Sequence, residues 1–264
     1  MSQPVPDDLA LALELADLAD GITLSRFQAA DLRVDRKPDR TPVTDADTAT
    51  EDAVRAVLAE RRPGDAVLGE ERGSSSGDAA AGRGWILDPI DGTKNFSRGV
   101  PVWATLIALT AHGRPTVGVV SAPALQRRWW ASAGGGAWAR DGRSEPRRLA
   151  VSGVSELADA YLSTTELSSW RELGLLERYL GLVEQCWVVR ALGDFWQHVL
   201  VAEGVIDIGI DAEANAWDLA AVQLIVTEAG GRFSDLSGAG RFDGGSGISS
   251  NGLLHDSALR ALGA

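Results

Sequence analysis

One cysteine in 264 residues, Cys186, excludes an internal disulfide and a thiolate metal cluster, and fits a reducing compartment. Basic charge is scarce as well: 25 Lys and Arg stand against 37 Asp and Glu, a formal net charge of −12. Affinity for nucleic acid is built chiefly from Lys and Arg, so no nucleic-acid partner is expected. No uninterrupted apolar run reaches the length of a membrane span. The first twenty-odd residues carry Asp7, Asp8, Glu14, Asp17 and Asp20 where a secretory leader would be basic. A cytoplasmic chain with no membrane partner is the expectation. The three histidines, His112, His198 and His255, fall in no ligand spacing and read as ordinary core or surface residues.

A hydrophobic content of 45% is enough for one large or two closely packed domains. The acid surplus has two readings: solubility, or a phosphate-ester site whose positive charge comes from bound Mg²⁺. Nine tryptophans read as core or dimer packing and say nothing about function.

Leu11, Leu15, Leu18 and Ile22 recur at helical spacing, and Ala46, Ala49, Ala53 and Val57 predict a second helix. Short β-prone runs follow at 66–68, 85–87, 105–109, 117–121 and 128–131, with Asp141-Gly142 as a turn signal. They predict a sheet whose later strands are antiparallel. The second half alternates strand and helix, with helices over 173–184, 195–203 and 217–229 and strands over 161–162, 187–189, 205–210 and 232–233. A division into 1–150 and 151–264 within one compact unit follows. The low-complexity segment 73–82 reads as a mobile surface loop.

The stretch 85–96 carries most of the chemistry. An apolar run delivers Asp88 and Asp91 to its end, and Pro89 between them stops strand or helix from continuing. Gly92 and Thr93 then supply a turn and a hydroxyl, where backbone N–H groups can face an anion. Glu70 ends another short apolar strand, so three carboxylates can meet at one sheet edge and offer the oxygen donors that Mg²⁺ prefers. Asp218 opens a helix, a position that the helix dipole alone would also favour. Thr44 and Asp47 have the spacing of a capping box, which reads locally as a helix start.

Val43-Thr44-Asp45-Ala46-Asp47, Gly69-Glu70-Glu71, 88–93 and Trp217-Asp218 with Ala229-Gly230-Gly231 resemble, in order, the signature motifs of the inositol-monophosphatase-like family of metal-dependent phosphatases. The resemblance spans nearly the whole chain. It implies a mixed α/β fold, the αβαβα layered sandwich of the sugar-phosphatase type, and a phosphomonoesterase holding two or three Mg²⁺, with Mn²⁺ or Zn²⁺ as substitutes. Carried over by motif, Glu70, Asp88, the Ile90 carbonyl, Asp91 and Asp218 become metal ligands, with Asp88 bridging and Glu71 behind them. Thr93, oriented by Asp47, helps activate the attacking water, and Gly92 and Thr93 hold the phosphate. A homodimer is implied too. A metal-binding relative that keeps the fold without turnover is the rival from another class.

Substrate choice lies elsewhere. In relatives acting on inositol phosphates, an acid seven positions before the helix aspartate contacts a substrate hydroxyl, and Asp211 stands there. The segment from Arg190 to Phe195 falls where the family places other substrate-facing groups. Asp194 within it is either an N-cap or an acid for a cationic substrate. Val100-Pro101-Val102-Trp103, 121–130 and Gly193-Asp194-Phe195 resemble the histidinol-phosphatase branch of the family. That resemblance implies a small phosphate ester, L-histidinol phosphate, as substrate, with inositol 1-phosphate or another sugar or nucleotide phosphate as the alternative.

Overall fold

The computed structural model describes residues 7–38, 41–75 and 82–263, so the middle of the low-complexity segment, 76–81, lies outside the described residues. Helix α1 (Asp7–Arg26) leads into an antiparallel ribbon of β1 (Val34–Arg36) and β2 (Pro42–Thr44), and then into helix α2 (Asp45–Arg61). Thr44 caps α2: its hydroxyl accepts from the Ala46 and Asp47 N–H groups, and the Asp47 carboxylate accepts from the Thr44 N–H. The capping box is therefore real. The buried stripe of α2, however, is Ala46, Thr50, Val54 and Leu58, while Ala49 is exposed and Ala53 and Val57 are half-buried. The alanine pattern misplaced this face because Asp47 and Glu51, both buried, also belong to it.

The large sheet contains β3 (Ala66–Gly69), β4 (Gly73–Ser74), β5 (Arg83–Asp91), β6 (Ala104–Ala111), β7 (Arg114–Ala122), β8 (Arg127–Ser132), β9 (Gly136–Asp141) and β10 (Arg147–Arg148), in the spatial order β10-β9-β8-β7-β6-β5-β3-β4. From β5 to β10 every pairing is antiparallel, as expected, and β3 runs parallel to β5. Side chains alternate with the pleat: Trp85, Leu87, Ile107 and Val119 join the core under α1 and α2, and Ile86, Leu106, Ala108 and Val120 join a core on the opposite face. A sheet apolar on both faces must be covered on both.

The second sheet is mixed. After short helix α3 (Thr93–Ser97), placed between β5 and β6, the second half contributes β11 (Tyr161–Thr164), α4 (Leu167–Glu172), α5 (Leu176–Val183), β12 (Val188–Arg190), α6 (Asp194–Ala202), β13 (Ile208–Asp211), α7 (Ala216–Glu228), β14 (Arg232–Ser234), β15 (Gly247–Ser250) and α8 (His255–Leu262). The strands lie in the order β12-β11-β13-β15-β14. The helix expected over 173–184 is α5, which starts only at Leu176 after a turn at 173–175, and α4 before that turn is unexpected. Helices α6 and α7 fill the space between the sheets, and Trp170, Tyr179 and Leu182 with α8 cover the far face of the small one. The layers run α1/α2, large sheet, α6/α7, small sheet, α4/α5/α8, the αβαβα sandwich.

Candidate active site

Strand β5 changes register against β6 between Asp88, opposite Leu106, and Asp91, opposite Ala104. Pro89 has no N–H for the ladder, and its carbonyl is instead held by the Thr105 hydroxyl at 2.7 Å. The Ile90 N–H turns back to Asp88 Oδ1 at 3.0 Å. Across the interlayer space, Asn215 N–H donates to Asp218 Oδ2 at 2.7 Å, so a capping box fixes Asp218 in the first turn of α7. The two elements bring oxygens of Asp88, Asp91 and Asp218 within 4.8 Å of one another.

Among the described residues no Lys, Arg or His forms an ion pair with any of these three acids. Burial, then the charges of neighbouring acids, holds Asp88 and Asp91 well above the usual carboxylate range. Burial pushes Asp218 up to about 7, against the hydrogen bond from Asn215. Desolvated carboxylates repelling one another at this distance are costly unless a cation joins them. An all-oxygen donor set of this density suits Mg²⁺.

Glu70 faces the same cavity from the end of β3, beside the three-acid cluster and not within it. Lys37 Nζ spans Glu70 Oε1 and Glu71 Oε1, 2.7 Å from each. The turn behind Glu70 hangs on buried Glu51 of α2, whose carboxylate accepts from the Glu71 N–H at 2.8 Å and the Arg72 N–H at 3.1 Å. Gly69 is required there because a Cβ would lie 2.2 Å from Glu51 Oε1.

Thr93 opens α3 behind Gly92, whose φ of +86° and position 3.1 Å (from a would-be Cβ) from the Val102 carbonyl both call for glycine. The Thr93 hydroxyl lies 2.9 Å from the Ile90 carbonyl and 3.2 Å from Asp47 Oδ1. Asp47 is fully buried, and burial pushes it up to about 7 despite its hydrogen bonds from Thr44. A hydroxyl thus stands between the cavity and an acid poised near neutrality.

The cavity, about 540 Å³, continues past Gly92 and Thr93 to Glu166, Asp194, Asp211 and Glu213. Asp194 is not an N-cap: Gly193 takes that place, and Asp194 follows as the first helical residue at φ +49°. Burial, then the nearby charge of Asp211, pushes Asp194 up to about 6. Asp211 is 6% exposed and bound on both oxygens by internal donors, with His198 Nε2 at 2.7 Å and Gln197 Nε2 at 2.7 Å. Arg190 sits exposed on edge strand β12, bonded to the Val189 carbonyl and outside the cavity lining. The structure therefore gathers ten of the eleven expected site residues and leaves Arg190 apart.

Lys37, Glu51, Thr165, Gln197 and His198 support the site and escaped the sequence reading. Glu51 alone carried a signal, being four residues after Asp47 on the same helix face.

Five layers with a carboxylate-lined cleft between two sheets define a phosphoric monoester hydrolase of the sugar-phosphatase type. The chain belongs to the inositol monophosphatase family, whose model matches residues 7–262. It is 58% identical over 258 residues to a histidinol-phosphatase of Mycobacterium tuberculosis, with 98% of each chain covered. A histidinol-phosphatase of Streptomyces coelicolor is 50% identical over 97% of each chain. Among solved structures, an inositol monophosphatase from Zymomonas mobilis superposes with a TM-score of 0.84 at 32% identity, covering 98% of both chains.

Proposed function

We propose that this chain hydrolyses L-histidinol phosphate to L-histidinol and phosphate, the dephosphorylation step of histidine biosynthesis, with Mg²⁺ held by Glu70, Asp88, the Ile90 carbonyl, Asp91 and Asp218. The observation that carries the reading is the meeting of Asp88, Asp91 and Asp218 within 4.8 Å beside the Thr93–Asp47 pair. The likeness to two histidinol-phosphatases supports the choice of substrate.

Two or three Mg²⁺ ions, or Mn²⁺ or Zn²⁺ in their place, supply charge neutralisation for the phosphoryl and leaving-group oxygens and make water more acidic. The chain's own residues do the rest. Gly92 and Thr93 direct backbone N–H groups at the phosphate. Water attacks phosphorus as the ester P–O bond breaks. One of its protons passes to the Thr93 hydroxyl, whose own proton moves to Asp47; the leaving alkoxide takes up a proton from solvent to become the alcohol, and Asp47 returns its proton to solvent before the next turnover. An acid at about 7 can hold that proton at neutral pH. Asp194 and Asp211 give the far end of the cavity the negative charge that a cationic amine or imidazole favours, and Asp91 joins the substrate-facing set, which Arg190, outside the cavity lining, does not reach within one chain.

In this reading the chain works as one unit. Residues 1–150 carry most of the ligands, and 151–264 carry Asp218 and the specificity groups. It acts in the cytoplasm as a homodimer; Trp187, 71% exposed beside edge strand β12, offers apolar surface for the second copy to cover. The test is phosphate release from L-histidinol phosphate, inositol 1-phosphate, fructose 1,6-bisphosphate and 3′-phosphoadenosine 5′-phosphate, with and without chelator. Activity lost on chelation and highest kcat/KM for L-histidinol phosphate are expected. A preference for inositol 1-phosphate would assign the chain to the inositol monophosphatases instead.

A further inference from the structure

Resting on that reading, we infer that Thr165 is a positioning residue: fixed by Asp211 and Gln197, with His198 behind them, it aims Asp194 at the cationic end of the substrate. Asp211 Oδ1 accepts from Gln197 Nε2 at 2.7 Å and from the Thr165 hydroxyl, and Oδ2 is 2.7 Å from His198 Nε2. A carboxylate only accepts, so His198 Nε2 carries a proton, and Nδ1 lies 2.7 Å from Ser249 Oγ. The Thr165 hydroxyl is equally committed. It donates to Asp211 and accepts from the Asp194 N–H at 3.0 Å and from Gln197 Nε2 at 3.1 Å. One proton and two lone pairs are then in use, leaving nothing for a ligand.

The chain of bonds ends on the first turn of α6. Asp194 sits at φ +49°, a left-handed conformation that a residue other than glycine keeps only under restraint. Its N–H is tied to Thr165, and the next N–H, of Phe195, is tied to Asp91 Oδ2 at 2.6 Å. Two consecutive anchors therefore set this turn, one on the small sheet and one on the acid cluster. Between them the Asp194 carboxylate lines the cavity. Loss of the Thr165 anchor should loosen Asp194, leaving its carboxylate only a long 3.5 Å bond from Asn95 Nδ2, while the Asp91 end holds.

Kinetics of the full-length Mg²⁺-loaded protein test this with L-histidinol phosphate and the uncharged-alcohol ester inositol 1-phosphate. Thr165→Val should raise KM for L-histidinol phosphate about tenfold, the loss of one well-placed polar interaction, and leave kcat and the inositol 1-phosphate KM within about twofold. Thr165→Ser should restore the wild-type KM. In a double-mutant cycle, Thr165→Val should add nothing to Asp194→Asn, since it acts through that residue. Gln197→Leu removes the other donor shared by Thr165 and Asp211, should give the same split, and decides the matter if Thr165→Val does not fold. Multiplying effects in the cycle, equal losses on both substrates, or no restoration by serine would each overturn the proposal. A wild-type protein inactive on L-histidinol phosphate overturns both this and the proposed function, whereas an active one with an unaltered Thr165→Val variant overturns the anchor alone.

Discussion

The two ends of the cavity are both acidic and are built on opposite plans. At the large-sheet end, Asp88, Asp91 and Asp218 crowd together with no ion-pair partner among the described residues. At the small-sheet end, Asp211 is just as buried, yet Gln197, Thr165 and His198 satisfy it. The first arrangement is unfavourable until something positive arrives; in the second, Asp211 already has three internal donors. Residue type is the same in both places, so the count of donors separates the acids that await a ligand from the one that holds the frame.

The largest effect should come from breaking the crowded end. Asp88→Asn is expected to lower kcat/KM on the order of 10³-fold or more for every substrate, because it weakens the charge that holds the cation. Phosphate-release kinetics check this, and a loss below about tenfold would mean that the cluster is not the reaction centre. The second contrast is pH. Asp47 and Asp218 are raised from 3.8 to about 7, so in chelator-treated protein their contribution to stability is full below pH 3.8 and is lost as pH rises through about 7. For each such acid, a tenfold weaker acidity in the folded chain than in the unfolded one corresponds to at most about 1.4 kcal/mol. The melting temperature of the metal-free protein should thus fall between pH 5 and pH 8, and saturating Mg²⁺ should raise it more at pH 8, as differential scanning calorimetry can show. A flat profile would remove the distinction between the two ends.

Smaller effects sharpen the substrate side. Asp194→Asn should raise KM about tenfold for L-histidinol phosphate and less for inositol 1-phosphate, as loss of a charge-assisted contact predicts. Equal changes would count against an amine-facing carboxylate. Arg190→Ala, outside the cavity lining, should change kcat/KM least, by about twofold or less, like most substitutions at exposed positions. A larger loss would show that a second copy brings Arg190 to the site.

Much of this was legible because ligand acids must follow strand ends and helix starts, where Gly69, Pro89, Gly92 and the Thr44 cap leave local marks. The layer order was legible through the motifs, and the antiparallel run through period-two alternation. The hidden parts share a cause. Glu51 and Asp47 occupy the inner face of α2, so a hydrophobic scan slid the buried stripe onto Ala49 and Ala53. The strands at 136–141 and 247–250 and helix α8 passed unmarked, being short or polar in composition. Thr165, Gln197 and His198 become partners of Asp211 only through tertiary contact, which no local pattern records.

Helix α7 lies between the two sheets and carries Asp218 at its first turn, late in the chain. A growing polypeptide can thus complete the strands bearing Glu70, Asp88 and Asp91 long before the last acid leaves the ribosome. Until then the nascent enzyme should remain silent toward phosphate esters, and a cation held by all three acids would serve as a clasp between its early and late halves.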